Sequence, residues 1–316
     1  MEWESLIKRL PEGRVPRFDL TKAKSICDAM PAARRYGWWR DAAEAWASQV
    51  VDAMNQWLEQ SRGKRSAYRL TASQRVMVIF SGTEEEGTRW ATTGEWVLDH
   101  VLPVLGDAGQ VPPWPTICCF IHDIPTFDGY RAEWEKQDRL LPAGAFIHSR
   151  EVMPHIAVLG KLPRNALRLV FAHELIHSLV YHLDLPLWLN EGISENLMRE
   201  QLLMQGLYFV SDQALDWNDY FRLKGPAALA GYWSGKSFRH DGATASYGLA
   251  FRMVRRMMAE DLEQFQAFAV RARRVDAGDA ACREIYGSSI MERAKEFLGA
   301  GAWQGPAIVE DDKLSA

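Results

Sequence analysis

The chain reads as an α+β protein: a small mixed sheet with helices packed against one long helix, a helical lobe after it and a helical extension before it. Three observations lead there. Short apolar runs alternate with a helical pattern between residues 76 and 159. A long stretch of helical period follows from Pro163 to about Leu183. Beyond residue 190 the pattern is helical again, to about residue 298. With 316 residues and 47% apolar content, the chain can bury a sizeable core. The boundaries drawn are an N-terminal extension at 1–65, a principal domain at 66–300 and a tail at 301–316. The principal domain divides into an α/β part at 66–189 and a helical lobe at 190–300.

Each element has its own justification. Residues 1–65 are largely helical in pattern, most clearly from about Trp39 to Leu58, where Ala43, Trp46, Val50, Val51, Met54 and Trp57 recur with helical spacing. No chemistry is visible there; the segment is a packing lobe, a protein-partner element or an extension. Val76 to Phe80 is a continuous apolar run, the signature of a buried strand, and Gly87 to Leu105 reads as a helix. Thr116 to His122, Gly144 to Ser149 and Met153 to Leu159 read as further strands. Then come the helix from Pro163 and helical patterns around 190–206, 244–259, 262–274 and 290–298. Pro163 suits a first helical turn, and Pro186 lies just beyond the long helix.

Composition narrows the function classes. The formal charge is −4 and the pI about 6.1, so no nucleic-acid surface is expected. The clusters Arg252, Arg255, Arg256 and Arg271, Arg273, Arg274 read as solvated helix faces. The cysteines, at 27, 118, 119 and 282, lack zinc-ribbon spacing. Cys118 and Cys119 are neighbours in a strand and should point to opposite faces as buried thiols, which suits a reducing compartment. No apolar stretch approaches a membrane span and no leader pattern opens the chain, so a cytoplasmic location without membrane contact is expected.

The chemistry concentrates between His173 and Glu195. Residues 173–177 read H-E-L-I-H and residues 188–195 read W-L-N-E-G-I-S-E. Histidines four apart on a helix project from one face and can reach one metal ion, with zinc–nitrogen distances of about 2.0–2.1 Å. Glu174, beside the first histidine, can take a proton from water on that metal. Glu191 can supply a third, anionic ligand, and three protein ligands leave a fourth position open, as in catalytic zinc sites. Buried on a largely apolar helix, His173, Glu174 and His177 would cost several kcal/mol without such partners.

These residues resemble the gluzincins, H-E-x-x-H metallopeptidases with a glutamate ligand on a following helix. Residues 186–195, P-L-W-L-N-E-G-I-S-E, resemble that group's W-L-N-E-G pattern. The spacing of 13 residues between His177 and Glu191 is close to its small peptidase MA-like members. The resemblance implies one zinc ion held by His173, His177 and Glu191, with Glu174 as general base and later proton donor. It implies a supporting carboxylate at Glu195, one turn beyond Glu191, which would fix an imidazole tautomer; Asn190 is grouped with it. It implies an oxyanion donor, with Tyr247 in A-S-Y-G-L-A-F-R-M-V (245–254) and His240 as competing candidates. It also implies that an edge strand pairs with an extended substrate, 144–149 and 153–159 being the candidates. The aminopeptidases' G-x-M-E-N segment is not found, which favours an endopeptidase or narrow-specificity peptidase over an aminopeptidase. The expected partner is a peptide or protein substrate. The alternative is a zinc-holding binding or regulatory module with little or no proteolytic activity.

Overall fold

A computed structural model describes residues 5–8, 15–60, 67–122, 127, 130, 143–204, 217–239 and 241–307. Among these, eleven α-helices accompany a five-stranded mixed sheet, and a two-stranded pairing joins β1 (Ile7–Lys8) to β2 (Arg17–Phe18). The fold is α+β. It forms two compact units, Met1–Asp99 with Val111–Ser178, and His100–Gln110 with Leu179–Ala316.

In the first unit, α1 (Leu20–Asp28) and α2 (Ala32–Gln60) precede β3 (Tyr68–Ala72) and β4 (Val76–Ser81). Next come α3 (Glu84–Leu105), β5 (Thr116–Ile121), β6 (Gly144–Ser149), β7 (Val152–Leu159) and α4 (Arg164–Val180). The sheet order is β3-β4-β5-β7-β6. β4, β5 and β7 run parallel, while β3 and β6 pair antiparallel at the two margins. β4 and β5 are buried almost throughout, which is why their sequences are continuous apolar runs rather than alternating ones. Trp46 of α2 lies over one face, 4.9 Å from the His155 ring on β7. On the other face, Trp90 of α3 and Phe171 of α4 enclose Phe120 of β5, at 4.7 and 5.6 Å.

Cys118 and Cys119 are adjacent on β5 and so address these two faces in turn. All four cysteines are free and buried. Burial pushes the Cys118 thiol well up, with Cys119 and the Glu174 carboxylate adding to the rise. On the opposite face Cys119 lies 3.9 Å from the Tyr130 hydroxyl. That hydroxyl is 2.7 Å from His155 Nε2, and His155 Nδ1 is 2.7 Å from the Met153 carbonyl. A carbonyl only accepts, so Nδ1 carries the proton and Tyr130 donates to Nε2. Burial lowers the His155 imidazole to about 4.

The second unit is helical: α5 (Leu187–Met204), α6 (Trp217–Lys224), α7 (Pro226–Trp233), α8 (Ala243–Glu260), α9 (Leu262–Arg271), α10 (Asp279–Tyr286) and α11 (Ile290–Leu298). Trp188, Tyr232 and Phe268 fill its centre. Ser289 and Glu292 form a reciprocal cap at the start of α11. No helix among the described residues is long and apolar enough to cross a membrane.

Several expected elements recur with shifted ends. α2 starts at Ala32, seven residues before Trp39, and buries Trp39, Ala42, Ala43, Trp46, Ala47, Val50 and Met54. β3, α6 and α7 had no counterpart in the expectations. β3 is short and only its first residue is buried, and α6 and α7 have eight residues each, barely two turns of period to read.

Candidate metal centre

Pro163 precedes α4, and its carbonyl accepts the Leu167 N–H at 2.9 Å, the first bond of the helix. Phe171, Leu175, Ile176, Leu179 and Val180 of α4 are buried, and His173, Glu174 and His177 ride on the same helix. Glu174 and His177 are themselves buried, at 8% and 9% exposure. The two imidazoles meet edge to face, 4.7 Å between ring centroids, with Nε2 atoms 3.0 Å apart. Two nitrogens so placed can share a proton, or both can face one cation.

The third residue comes from α5. Pro186 ends the connection from α4 and opens the next helix, its carbonyl accepting from Leu189 and Asn190. Trp188, fully buried, donates from its indole nitrogen to the Ala277 carbonyl at 3.0 Å and fixes the first turn. Gly192 is required by the crossing of α8: a Cβ there would lie 2.7 Å from the Ala250 carbonyl oxygen and 2.6 Å from Val254 Cγ2. Asn196 closes the contact by donating to the Gly192 and Phe251 carbonyls at 2.7 and 2.8 Å. Glu191 thus sits between two fixed residues.

One ligand atom from each of His173, His177 and Glu191 falls within 4.8 Å of the others. Two imidazoles and a carboxylate suit a borderline divalent cation. Tetrahedral ligands at about 2.0–2.1 Å stand roughly 3.3 Å apart, so the histidine pair already has nearly this spacing. The three residues could hold a metal ion.

The neighbours expected from sequence divide. Glu195 receives Arg199 through one oxygen, Oε2, at 2.8 and 3.1 Å, and the same guanidinium lies 4.3 Å from the centre of the Phe251 ring. Asn190 is half-buried on α5, directly before Glu191. Tyr247 is half-buried on α8 with its ring edge-on to Phe238 at 5.2 Å. His240 lies outside the described residues.

Scans against family models, curated proteins and solved structures find no match. The chemistry therefore rests on the residues themselves.

One participant had no signal in the motif. Of the two strands considered as the edge, β6 is the outer one and β7 lies inside the sheet. Gly144 opens β6 beside α4: a Cβ there would fall 2.5 Å from Val170 Cγ1, 2.9 Å from Glu174 Cγ and 3.1 Å from Glu174 Oε1. Only a residue without a side chain allows the edge strand this close to that carboxylate. A glycine at a strand start is too common to have revealed it.

Proposed function

We propose that the protein is a zinc-dependent metallopeptidase of the gluzincin type, an endopeptidase or one of narrow specificity. The observation that carries the proposal is the grouping of His173, His177 and Glu191, with Glu174 buried on the same helix and against the start of the edge strand. Zinc is the default ion for two imidazoles and one carboxylate. When bound, it supplies a Lewis acid that polarises a scissile carbonyl and acidifies water.

The chain's own groups do the remainder. Glu174 accepts the proton of the attacking water and returns it to the leaving amine. β6 offers main-chain hydrogen bonds along its outer side to an extended peptide, and Gly144 lets that peptide run close to the Glu174 carboxylate. Glu195, held by Arg199, supports the ligand helix one turn beyond Glu191. Tyr247 is the proposed oxyanion donor, with His240 as its rival.

Digestion of a diverse peptide library by zinc-loaded protein, read by mass spectrometry beside Glu174→Gln, tests the proposal. Cuts should appear with the wild type and fall by roughly 10²–10⁴-fold in the variant, the worth of a general base. Equal cutting by both would remove Glu174 from the mechanism. An absence of cuts by the zinc-loaded wild type would favour a metal-holding binding module.

A further inference from the structure

A turn 89 residues further along the chain reaches back to the entrance of α5. The carbonyl of Ala277 accepts the indole N–H of Trp188 at 3.0 Å, just under one turn before Glu191. Earlier in the same turn, Arg274 meets Asp184 on the connection between α4 and α5. Its backbone N–H reaches one carboxylate oxygen and its guanidinium the other, each at 3.4 Å. Among the described residues Ala277 alone has a positive φ, 54°, without being glycine. That left-handed conformation is disfavoured for a residue with a Cβ and persists only where its surroundings hold it. Here they do. The Ala277 N–H donates to the Arg274 carbonyl at 3.2 Å, and the Gly278 N–H to the Arg273 carbonyl at 2.9 Å. The Asp276 carboxylate accepts from Gly278 and Ala280, one N–H on each oxygen, at 2.9 and 2.8 Å. Ala277 and Gly278 are buried, and Trp188 is fully buried.

From this arrangement we infer that the turn Arg274–Gly278 is a positioning element for the metal centre, fixing the first turn of α5 and so the place from which Glu191 reaches a metal. The inference rests on the reading of His173, His177 and Glu191 as ligands. Trp188 and Asp276 are then positioning residues: neither is a ligand, and each acts through another group. A carboxylate carried on a helix moves with the turn that carries it. The first turn is the part of a helix least tied by its own bonds, because its leading N–H groups have no partner within the helix. The bond from Trp188 to Ala277 ties that turn of α5 to a backbone that is itself held on several sides. Asp184 and Arg274, both exposed and paired at longer range, add less. Metal affinity responds to such outer partners because an ion requires its ligands at fixed distances.

The test is the zinc affinity of the full chain, read by competition with a chromogenic chelator while every variant is folded, beside thermal unfolding of the metal-free protein. Trp188→Phe keeps a buried ring and removes the N–H. Its affinity should fall by roughly tenfold, the lower end of what loss of an outer partner costs. Asp276→Ala loosens the turn without altering α5 and should lower the affinity by a smaller factor; it also decides the matter if Trp188→Phe does not fold. Leu298→Ala, a core truncation in α11, should lower the unfolding temperature and leave the affinity at the wild-type level. Wild-type affinity in both Trp188→Phe and Asp276→Ala, with zinc lost in Glu191→Ala, would overturn the positioning role and leave the metal centre standing. An equal loss of affinity in Leu298→Ala would overturn it too, assigning the effect to loosening of the whole lobe. Affinity unchanged even in Glu191→Ala would overturn the ligand set and this role with it.

Discussion

The two margins of the sheet are built in opposite ways. At β3 the side chain of Asn55, from α2, takes both outward backbone groups of Tyr68: its oxygen accepts the N–H at 2.7 Å and its nitrogen donates to the carbonyl at 3.1 Å. Arg40 of the same helix donates to the Ser73 and Gln74 carbonyls at 3.0 and 2.9 Å, and the Tyr36 hydroxyl also donates to Gln74. A helix has been substituted for the missing strand, a recognised way to close an edge. At β6 no described strand takes the outer side, and the strand begins with a glycine against Glu174. One margin has side chains of α2 on its backbone at Tyr68 and at the turn after β3, whereas the other begins against Val170 and Glu174 of α4. The difference teaches that, among the described residues, only the β6 margin leaves its outer side without helix side chains bonded to its backbone, which is the side the proposed substrate would use.

The strongest way to break the comparison is Gly144→Ala. Its methyl group would collide with Val170 and Glu174. Displacement of a general base by about 1 Å can cost on the order of 10²-fold. The expected outcome is a fall in kcat of that order with zinc retained. Unchanged kcat would mean that the closeness of β6 to Glu174 has no bearing on turnover.

The α2 side should instead respond through stability. His155, held neutral between Tyr130 and Met153, has its pKa lowered to about 4 by burial, while the unfolded chain binds that proton near 6.5. Its contribution is therefore complete above pH 6.5 and is lost as the pH falls towards 4. By pH 5 the loss is roughly 2 kcal/mol. Urea unfolding at pH 7 and pH 5 should show this drop in the wild type and a smaller one in His155→Gln. Equal drops would assign the acid sensitivity to other groups.

Asn55→Ala sharpens the comparison with the smallest effect. Loss of two hydrogen bonds at the part-buried Tyr68 backbone should cost about 1–2 kcal/mol of stability. Activity per folded molecule should stay at the wild-type level. Reduced turnover in fully folded Asn55→Ala would show that the sealed edge also serves the site.

Much of this architecture was legible because its signals are local. β4 and β5 announce themselves as apolar runs, since both faces are covered. The histidine pair is written in helical spacing, and Glu191 follows one short connection later. Gly192, part of the same motif, has a packing reason at Ala250. What sequence withheld is relational. Nothing in Y-R-L-T-A identifies β3 as an edge, because its partner is an asparagine 13 residues earlier in the chain. Nothing in G-A-F-I-H-S marks Gly144 as a neighbour of Glu174, because that closeness depends on how β6 and α4 pack. Glu195 differs: its partner Arg199 stands four residues on in the same helix, a spacing at which Glu and Arg pair, so that contact is local rather than relational.

The most direct measurement is zinc content per chain, by elemental analysis after loading and dialysis, for wild type, Glu174→Gln and Glu191→Ala. One zinc per chain in the first two is expected. In Glu191→Ala the affinity should fall by more than the roughly 10–100-fold that follows loss of an outer partner. Zinc absent from the wild type, or held equally well without Glu191, would contradict a metal centre built on His173, His177 and Glu191.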